Sequence, residues 1–323
     1  MIRFRPTPAL ALLFLAPFIG EVLSGSSPPL ELLNPLAVLF MIGLYGCGAL
    51  LVRELAFRWK KGWLAIFILG ASYGIFEEGL MTKSFFDPGW MDVGLLGSYG
   101  RFLGINWIWT VELILFHSVF SIAASILLVW LAFPEWRDRP WLSLRAMAVC
   151  GVIFLAIIPI GYFFMTPYRP EMPIYLGAII AAIALIGLAW LLPSQILLLK
   201  NHGAPLRPRW LFLLGLGWTI MLFITVWIIP GTGISPVMPL VILIFLGIAG
   251  LLLVAWMYGN GGMFAETHKL ALTAGGLSVF ILFSIVLEIS GIRGMSLAGA
   301  TGAIMILLLW RKLTRASPEG VRE

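Results

Sequence analysis

Apolar runs broken by short clusters of proline, glycine and charge fill the chain from Pro8 to Trp310. A helix of about 20 apolar residues crosses the hydrocarbon core of a bilayer. The pattern predicts ten such helices, over Pro8–Leu23, Pro35–Phe57, Trp63–Thr82, Asn106–Phe133, Leu142–Met165, Ile174–Leu199, Trp210–Pro230, Val237–Tyr258, Lys269–Ser290 and Ser296–Trp310. The segments between them carry turn-forming breakers: Ser27-Pro28-Pro29, Asn34-Pro35, Asp87-Pro88-Gly89, Pro205 with Pro208, Gly231 with Gly233, and Asn260-Gly261-Gly262. The expected fold class is all-α, a polytopic bundle of about ten transmembrane helices forming one integral membrane domain over residues 1–323. Polar residues crowd into residues 1–133, residues 134–310 are more apolar, and 311–323 form a short basic tail. Residues 83–105, aromatic and glycine-rich, predict an interfacial or re-entrant element over the outer mouth of the bundle.

Charge gives the bundle a direction. With the N-terminus in the cytoplasm and the spans alternating, 17 of the 21 lysines and arginines fall inside, from Arg3 and Arg5 through Arg53, Arg58, Lys60, Lys61 and Arg137 to Arg322. Only Lys83, Arg101, Arg169 and Arg293 fall outside. That asymmetry is the positive-inside bias of a membrane protein with both ends cytoplasmic. It predicts a multi-pass protein of a plasma membrane, of the bacterial inner-membrane type. The first span has a competing reading as a secretory signal, with Arg3 and Arg5 as n-region and Val22-Leu23-Ser24 as cleavage site. Glu21 beside that site and the prompt return to apolar sequence favour a retained anchor.

Composition agrees with lipid as the solvent. Hydrophobic residues make up 61% of the 323, charged residues only 11%, and mean hydropathy is +1.02. A soluble domain carries about 25% charged residues. The net charge of +6 does not mark a nucleic-acid site, because the basic residues sit at the ends of apolar spans. Cys47 and Cys150 lie within spans and read as small packing residues; no disulfide framework or Cys/His zinc spacing is present.

Candidate chemistry lies in the third and fourth spans. A carboxylate in hydrocarbon costs at least ~2.5 kcal/mol, so an intramembrane acid marks a functional site until shown otherwise. At 3.6 residues per turn, Glu77 and Glu78 share about a third of the helix circumference with Gly70 and Gly74. The glycines form a small-xxx-small face that admits a neighbouring helix, so the glutamates point into the bundle, with Ser72 and Tyr73 nearby. On the fourth span Asn106, Thr110, His117 and Ser121 make one polar stripe, and Ser125 follows. Glu112 projects away from His117, by roughly 140°. Glu77 and Glu78 at the outer end of one span and His117 about three turns into the next can meet in the outer half of the membrane, where Glu21, Glu112 and Glu288 also lie. Two adjacent carboxylates repel unless one is protonated or a cation is bound. The bland expectations are that Glu21 and Glu288 reach the interface, that Arg53-Glu54 is an interfacial anchor, and that His202 and His268 are solvated in cytoplasmic loops.

The Glu77-Glu78 pair followed by His117 resembles the CPBP intramembrane metalloproteases, the CAAX-processing and bacteriocin-processing group. That resemblance implies Glu77 or Glu78 as general base, His117 holding a metal, water or oxyanion, and cleavage of a peptide bond in a membrane-protein or peptide substrate. It covers about forty-five residues. Thr82 stands where the family's first motif has arginine, Leu113 where the second has phenylalanine, and no later histidine motif follows.

Three function classes follow. As a metal-dependent hydrolase the chain would use Glu77, Glu78 and His117 for catalysis. A divalent metal such as zinc would sit on His117, Glu78 and Glu112, with Glu21, Thr110, Ser121 and Glu288 in support. As a proton- or cation-coupled transporter it would bind its coupling ion at the same cluster; Pro17, Pro159, Gly187 and Pro193 interrupt its helices as in many transporters. Ten spans would divide into two five-helix halves of inverted topology, although no internal sequence match relates them. As a structural subunit of a membrane complex it would use the cluster as interhelical glue.

Overall fold

The computed structural model describes residues 7–193, 205–259 and 264–316. Among them nine helices are long and apolar enough to cross a membrane, and one further apolar helix is shorter. In chain order they are α1 (Pro8–Leu23, the short one), α2 (Pro35–Arg58), α3 (Trp63–Met81), α4 (Trp107–Ala132), α5 (Leu144–Phe164), α6 (Met172–Leu191), α7 (Pro208–Thr232), α8 (Val237–Gly259), α9 (Glu266–Ile289) and α10 (Met295–Ala316). The expected extension of the sixth span to Leu199, and His202 beyond it, lie outside the described residues.

The predicted breakers and caps act where helices begin. Asn34 accepts from the Leu36 amide at 3.0 Å, Asn106 from Trp109 at 2.9 Å and Ser143 from Ala146 at 3.2 Å. Each satisfies an amide that the first turn leaves without a helical partner. Asn106 also donates its side-chain amide to the carbonyls of Leu96 and Tyr99, tying α4 to the segment before it.

Two helices form the centre. α3 and α4 bury 67% and 72% of their most apolar stretches, against 17%, 11% and 17% for α5, α6 and α8. The three outer helices turn residues such as Leu155, Ile180 and Phe245 outward, as helices facing lipid do. α3 packs against α4 and α6, α2 against α1 and α5, and α9 against α7 and α10. The glycines that the sequence placed on the α3 face meet α4: a Cβ on Gly70 would stand 2.9 Å from the Ser118 Cα, and one on Gly74 3.3 Å from the His117 Cβ. α1, too short for a full crossing at 1.5 Å per residue, buries Leu12 and Ala16 completely.

The segment between α3 and α4 contains a 3-10 turn, Gly94–Gly97, and a two-residue antiparallel pairing of Arg101–Phe102 with Ile105–Asn106. Phe85, Phe86, Val93 and Leu96 join Ile108, Trp109 and Leu243 in one apolar cluster. Lys83, expected as a charge on an outer loop, is instead fully buried. Its backbone is left-handed, at φ 65°, and its ammonium donates to the carbonyls of Tyr162 at 2.5 Å, Thr166 at 3.0 Å and Tyr168 at 3.3 Å. One cation thereby fastens this segment to the α5–α6 connection.

Two further expectations are corrected. Arg53 and Glu54 are not an exposed interfacial anchor: Glu54 is completely buried and Arg53 nearly so. Arg53 pairs with Glu54 at 2.5 Å, lies between the rings of Phe57 and Trp141, and donates to the Arg139 carbonyl at 2.7 Å. Glu54 also meets Arg58 at 3.2 Å and accepts from the Trp141 amide at 2.7 Å, and Arg58 donates to the Leu142 carbonyl at 2.7 Å. The reason is the α4–α5 connection, which folds back over this end of α2 and brings its own backbone groups as partners. His268 is not in a loop; it lies in the first turn of α9, half-buried, its ring 5.6 Å from that of Phe264.

Candidate functional site

Four helices bring polar side chains to one place, and each departs from α-helical geometry there. α1 becomes a π-helix over Phe18–Leu23, α2 over Ile42–Gly46, α3 over Ile75–Met81 and α4 over His117–Ala124. These stretches hold Glu21, Tyr45, the Glu77-Glu78 pair, and His117 with Ser121. A π turn takes in an extra residue, so it changes which side chains point inward, and such turns are concentrated at functional sites. A fifth π segment among the described residues, Ile224–Ile228 in α7, carries none of these groups.

His117 is the centre. It is buried, and its Nε2 lies 3.3 Å from Glu78 Oε1. Its Nδ1 lies 3.1 Å from the Ser121 hydroxyl and 3.2 Å from Glu77 Oε2, the latter at ion-pair distance but off the line of a hydrogen bond. The ring is boxed by Phe116, Tyr73 and Tyr45, with centroids 5.1, 5.9 and 6.1 Å away. Glu78 accepts from Thr82 at 3.0 Å and from Ser84, whose oxygen in turn accepts from Trp109 Nε1 at 3.1 Å. On the other side the Tyr45 hydroxyl contacts both Glu77 Oε1 and Glu21 Oε1, the second at 2.5 Å, and Glu21 Oε2 accepts from Ser27 at 2.8 Å. The result is one chain of hydrogen bonds and ion pairs: Ser27, Glu21, Tyr45, Glu77, His117, Glu78, Ser84. Its middle members are buried, while Glu21 and Glu78 near the two ends are partly exposed.

Proton counting constrains this chain. Tyr45 has one hydroxyl proton and two carboxyl neighbours, so it can donate to only one of them. The other carboxyl must donate to the tyrosine oxygen and therefore carries a proton itself. An imidazolium can donate from both nitrogens, which suits a ring with a carboxylate on each side. An assignment that fits these contacts has protonated Glu21 donating to Tyr45, Tyr45 donating to Glu77, and His117 as a cation donating from Nε2 to Glu78 and from Nδ1 to Ser121, with Glu77 held beside it by charge. Three acids, a tyrosine and a histidine thus share fewer protons than they have sites.

The same atoms make a metal-capable group. One ligand atom each from Glu77, Glu78 and His117 lie within 4.8 Å of one another. Two carboxylates and an imidazole are suitable ligands for a divalent ion, and Ser121, Tyr45, Thr82 and Ser84 are placed to orient them.

The structure brings together Glu77, Glu78, His117, Ser121 and Glu21. It leaves the other expected residues apart. Glu112, on the same helix as His117, is buried but lies outside the 4.8 Å group; the 140° turn that separates it from His117 keeps its carboxyl away, and Glu77 takes its place. Thr110 is buried with its hydroxyl unpartnered. Glu288 accepts from the Ser296 amide at 2.9 Å, capping the start of α10. Glu21 does not simply reach the interface, because the π turn in α1 directs it to Tyr45. Sequence reasoning missed Tyr45, Ser84 and Gly20. Tyr45 carried a usable signal: a tyrosine buried between Gly43, Gly46 and Gly48 in an apolar span needs a partner for its hydroxyl. Gly20 is required by close approach, since a Cβ there would stand 2.6 Å from the Tyr45 ring and 2.8 Å from the Ser121 hydroxyl.

Residues 10–192, more than half of the chain, match a family described as an uncharacterized membrane protein family, and the chain belongs to it. The matched stretch runs from α1 to the end of α6 and contains every member of the Glu21–Ser84 chain. No curated protein and no solved structure matches.

Proposed function

We propose that this multi-pass membrane protein is a proton-coupled transporter whose coupling site is the chain Glu21–Tyr45–Glu77–His117–Glu78, in a plasma membrane with both termini inside. The observation that carries this reading is the continuity of the chain: three carboxyls are linked through a tyrosine and a histidine, buried in its middle. The partly exposed Glu21 and Glu78 both lie toward the outer side in this topology, so the chain loads from that side and transfer across the membrane needs a movement of α3 against α4. Relays of acids and histidines buried in a membrane are the usual apparatus of proton pumps and transporters.

The chemistry follows from the partners. A proton arriving at Glu78 neutralises the carboxylate that Nε2 of His117 faces and removes that ion pair. Glu21 releases its own proton, and the Tyr45 hydroxyl turns to donate to the emptied Glu21. Glu77, which takes the Nδ1 proton of His117 once its carboxyl swings into line, donates to the Tyr45 oxygen, so that one proton enters at Glu78 and one leaves at Glu21. Because Glu78 is on α3 and His117 on α4, each protonation changes the attraction between the two most buried helices. That supplies the differential interaction between two states that any coupled movement needs. The test is proton flux into liposomes holding a pH-sensitive dye, measured with a panel of solutes. Flux that appears with one solute class and is abolished by Glu78→Gln and by Tyr45→Phe supports the relay. Absence of flux with every solute, or full flux in Tyr45→Phe, overturns it.

A second reading, a metal-dependent hydrolase acting on a membrane peptide, is favoured by the proximity of the Glu77, Glu78 and His117 ligand atoms. It agrees with the resemblance to the CPBP proteases. A catalytic zinc takes three protein ligands and an open position, and these three residues would supply the ligands. Metal analysis of the purified protein separates the two readings. About one equivalent of zinc, lost in His117→Ala together with cleavage of membrane peptides, would replace the transporter reading with this one.

A further inference from the structure

We infer that the cavity between α3, α4, α7, α8 and α9 holds an acyl chain of an anionic phospholipid, with its phosphate on Lys269. The cavity measures about 690 Å³, within the size range of ligand sites, about 300–1,000 Å³. Its wall is apolar almost throughout, with Phe67, Leu115, Leu127, Trp218 and Val254 among its lining residues. Of its few hydroxyls, Ser118 is committed to the Phe67 carbonyl at 2.7 Å and Thr219 to the Gly215 carbonyl at 3.0 Å. Such a slot offers little to a polar solute and suits a hydrocarbon chain. It is separate from the Glu/His chain, none of whose members lines it.

Lys269 is the one charged residue among those lining the cavity. It lies in the first turn of α9, half-buried, with its ammonium 4.7 Å from the Tyr258 ring centre and 5.0 Å from that of Trp130. Among the described residues it forms no ion pair. The neighbouring Glu266 is taken by Arg137, whose guanidinium lies over Trp130 at 3.9 Å. Trp63 stacks on Tyr258 at 5.2 Å and meets Trp130 edge-on at 6.5 Å. Trp63 begins α3, Trp130 lies near the end of α4 and Tyr258 near the end of α8, so these aromatics form a cluster at one end of the helices. Tryptophan and tyrosine concentrate at the headgroup level of a bilayer. A cation held among them, with the Glu266 carboxylate of the same turn paired to Arg137, complements a phosphate at that depth, with the hydrocarbon slot running inward from it.

The experiment is native mass spectrometry of the protein after exposure to mixed micelles of phosphatidylglycerol and phosphatidylcholine. The wild type should retain one phospholipid, with phosphatidylglycerol preferred about five-fold, the effect of one lysine near an anionic surface. Lys269→Gln should still retain a lipid and lose the preference. Gly217→Phe fills the cavity from a position where an added Cβ meets nothing within 4 Å, and it should lose the lipid. Thermal unfolding of both variants close to that of the wild type establishes that they fold. The inference fails if the wild type retains no phospholipid, if it retains free fatty acid instead, if Gly217→Phe retains the lipid undiminished, or if Lys269→Gln keeps the preference.

Discussion

Two buried polar clusters lie about two turns apart along α2, and they are built on opposite plans. At one, Arg53, Glu54 and Arg58 spend their hydrogen bonds largely on backbone: the carbonyls of Arg137, Arg139 and Leu142 and the amide of Trp141. At the other, Glu21, Glu77, Glu78 and His117 spend theirs largely on one another, on Tyr45 and on hydroxyls. Eight residues, about 12 Å of helix, separate Tyr45 from Arg53 on α2. Side chains tied to backbone hold one loop in one place, and their protons have nowhere to go. Side chains tied to other titratable side chains can trade protons without breaking the fold. The first cluster is a clamp, and the second is the one proposed above as the coupling site.

Mutations should separate the two. The largest effect is expected for Glu54→Ala, which leaves two arginines without their carboxylate and the Trp141 amide without an acceptor. Breaking a buried ion pair from one side costs about 3–5 kcal/mol, so thermal unfolding in bicelles should show a large loss. A loss under ~1 kcal/mol, the level of an exposed pair, would remove the distinction between clamp and site. Next is Gly70→Leu, whose new side chain meets the Ser118 backbone and pushes α3 from α4. Overpacking of this kind costs about 1–3 kcal/mol, and it should also abolish any function that needs Glu78 beside His117. Tyr45→Phe removes the single hydroxyl between two carboxyls, at about 1–3 kcal/mol for the buried groups it orphans, and should cut the relay. The smallest stability change is expected for Glu77→Gln. The amide keeps an acceptor for Tyr45 and removes one of three crowded acids, so stability should stay within ~1 kcal/mol while proton exchange is lost. A Glu77→Gln protein as damaged as Glu54→Ala would mean that both clusters are clamps.

Much of this architecture was legible in the chain, for a reason particular to lipid. A spanning helix must be apolar for most of its length, so the limits of α1 fell on Pro8 and Leu23, and those of α3 and α4 within a residue or two. The glycine face of α3 was legible as well, because a helix approaching Ser118 and His117 closely leaves room only for hydrogen at Gly70 and Gly74. The pairing of Glu77 and Glu78 with His117 followed from spacing and alternation of direction. The rest was hidden. A period of 3.6 cannot register π turns, and it is these that aim Glu21 and Tyr45 at Glu77. Lys83 and Arg53 looked like surface charges because nothing local announces that a distant loop will bring its carbonyls to them. Glu288 looked like a member of an acidic set because its partner, the Ser296 amide, belongs to a helix start that has no side-chain signature.

Taken alone, the sequence determined the solvent, the class of fold, the course of the spans and the identity of a carboxylate–histidine centre. Each of these rests on the cost of placing a polar or charged group in hydrocarbon, which acts residue by residue and can be read along the chain. The tertiary structure alone decided which acids join that centre, that Tyr45 links them, and that Arg53 and Glu54 clamp a loop. Those outcomes depend on which helix stands beside which, and on where an extra residue widens a turn. They are properties of contacts between segments far apart in sequence, and they exist only once the bundle has formed.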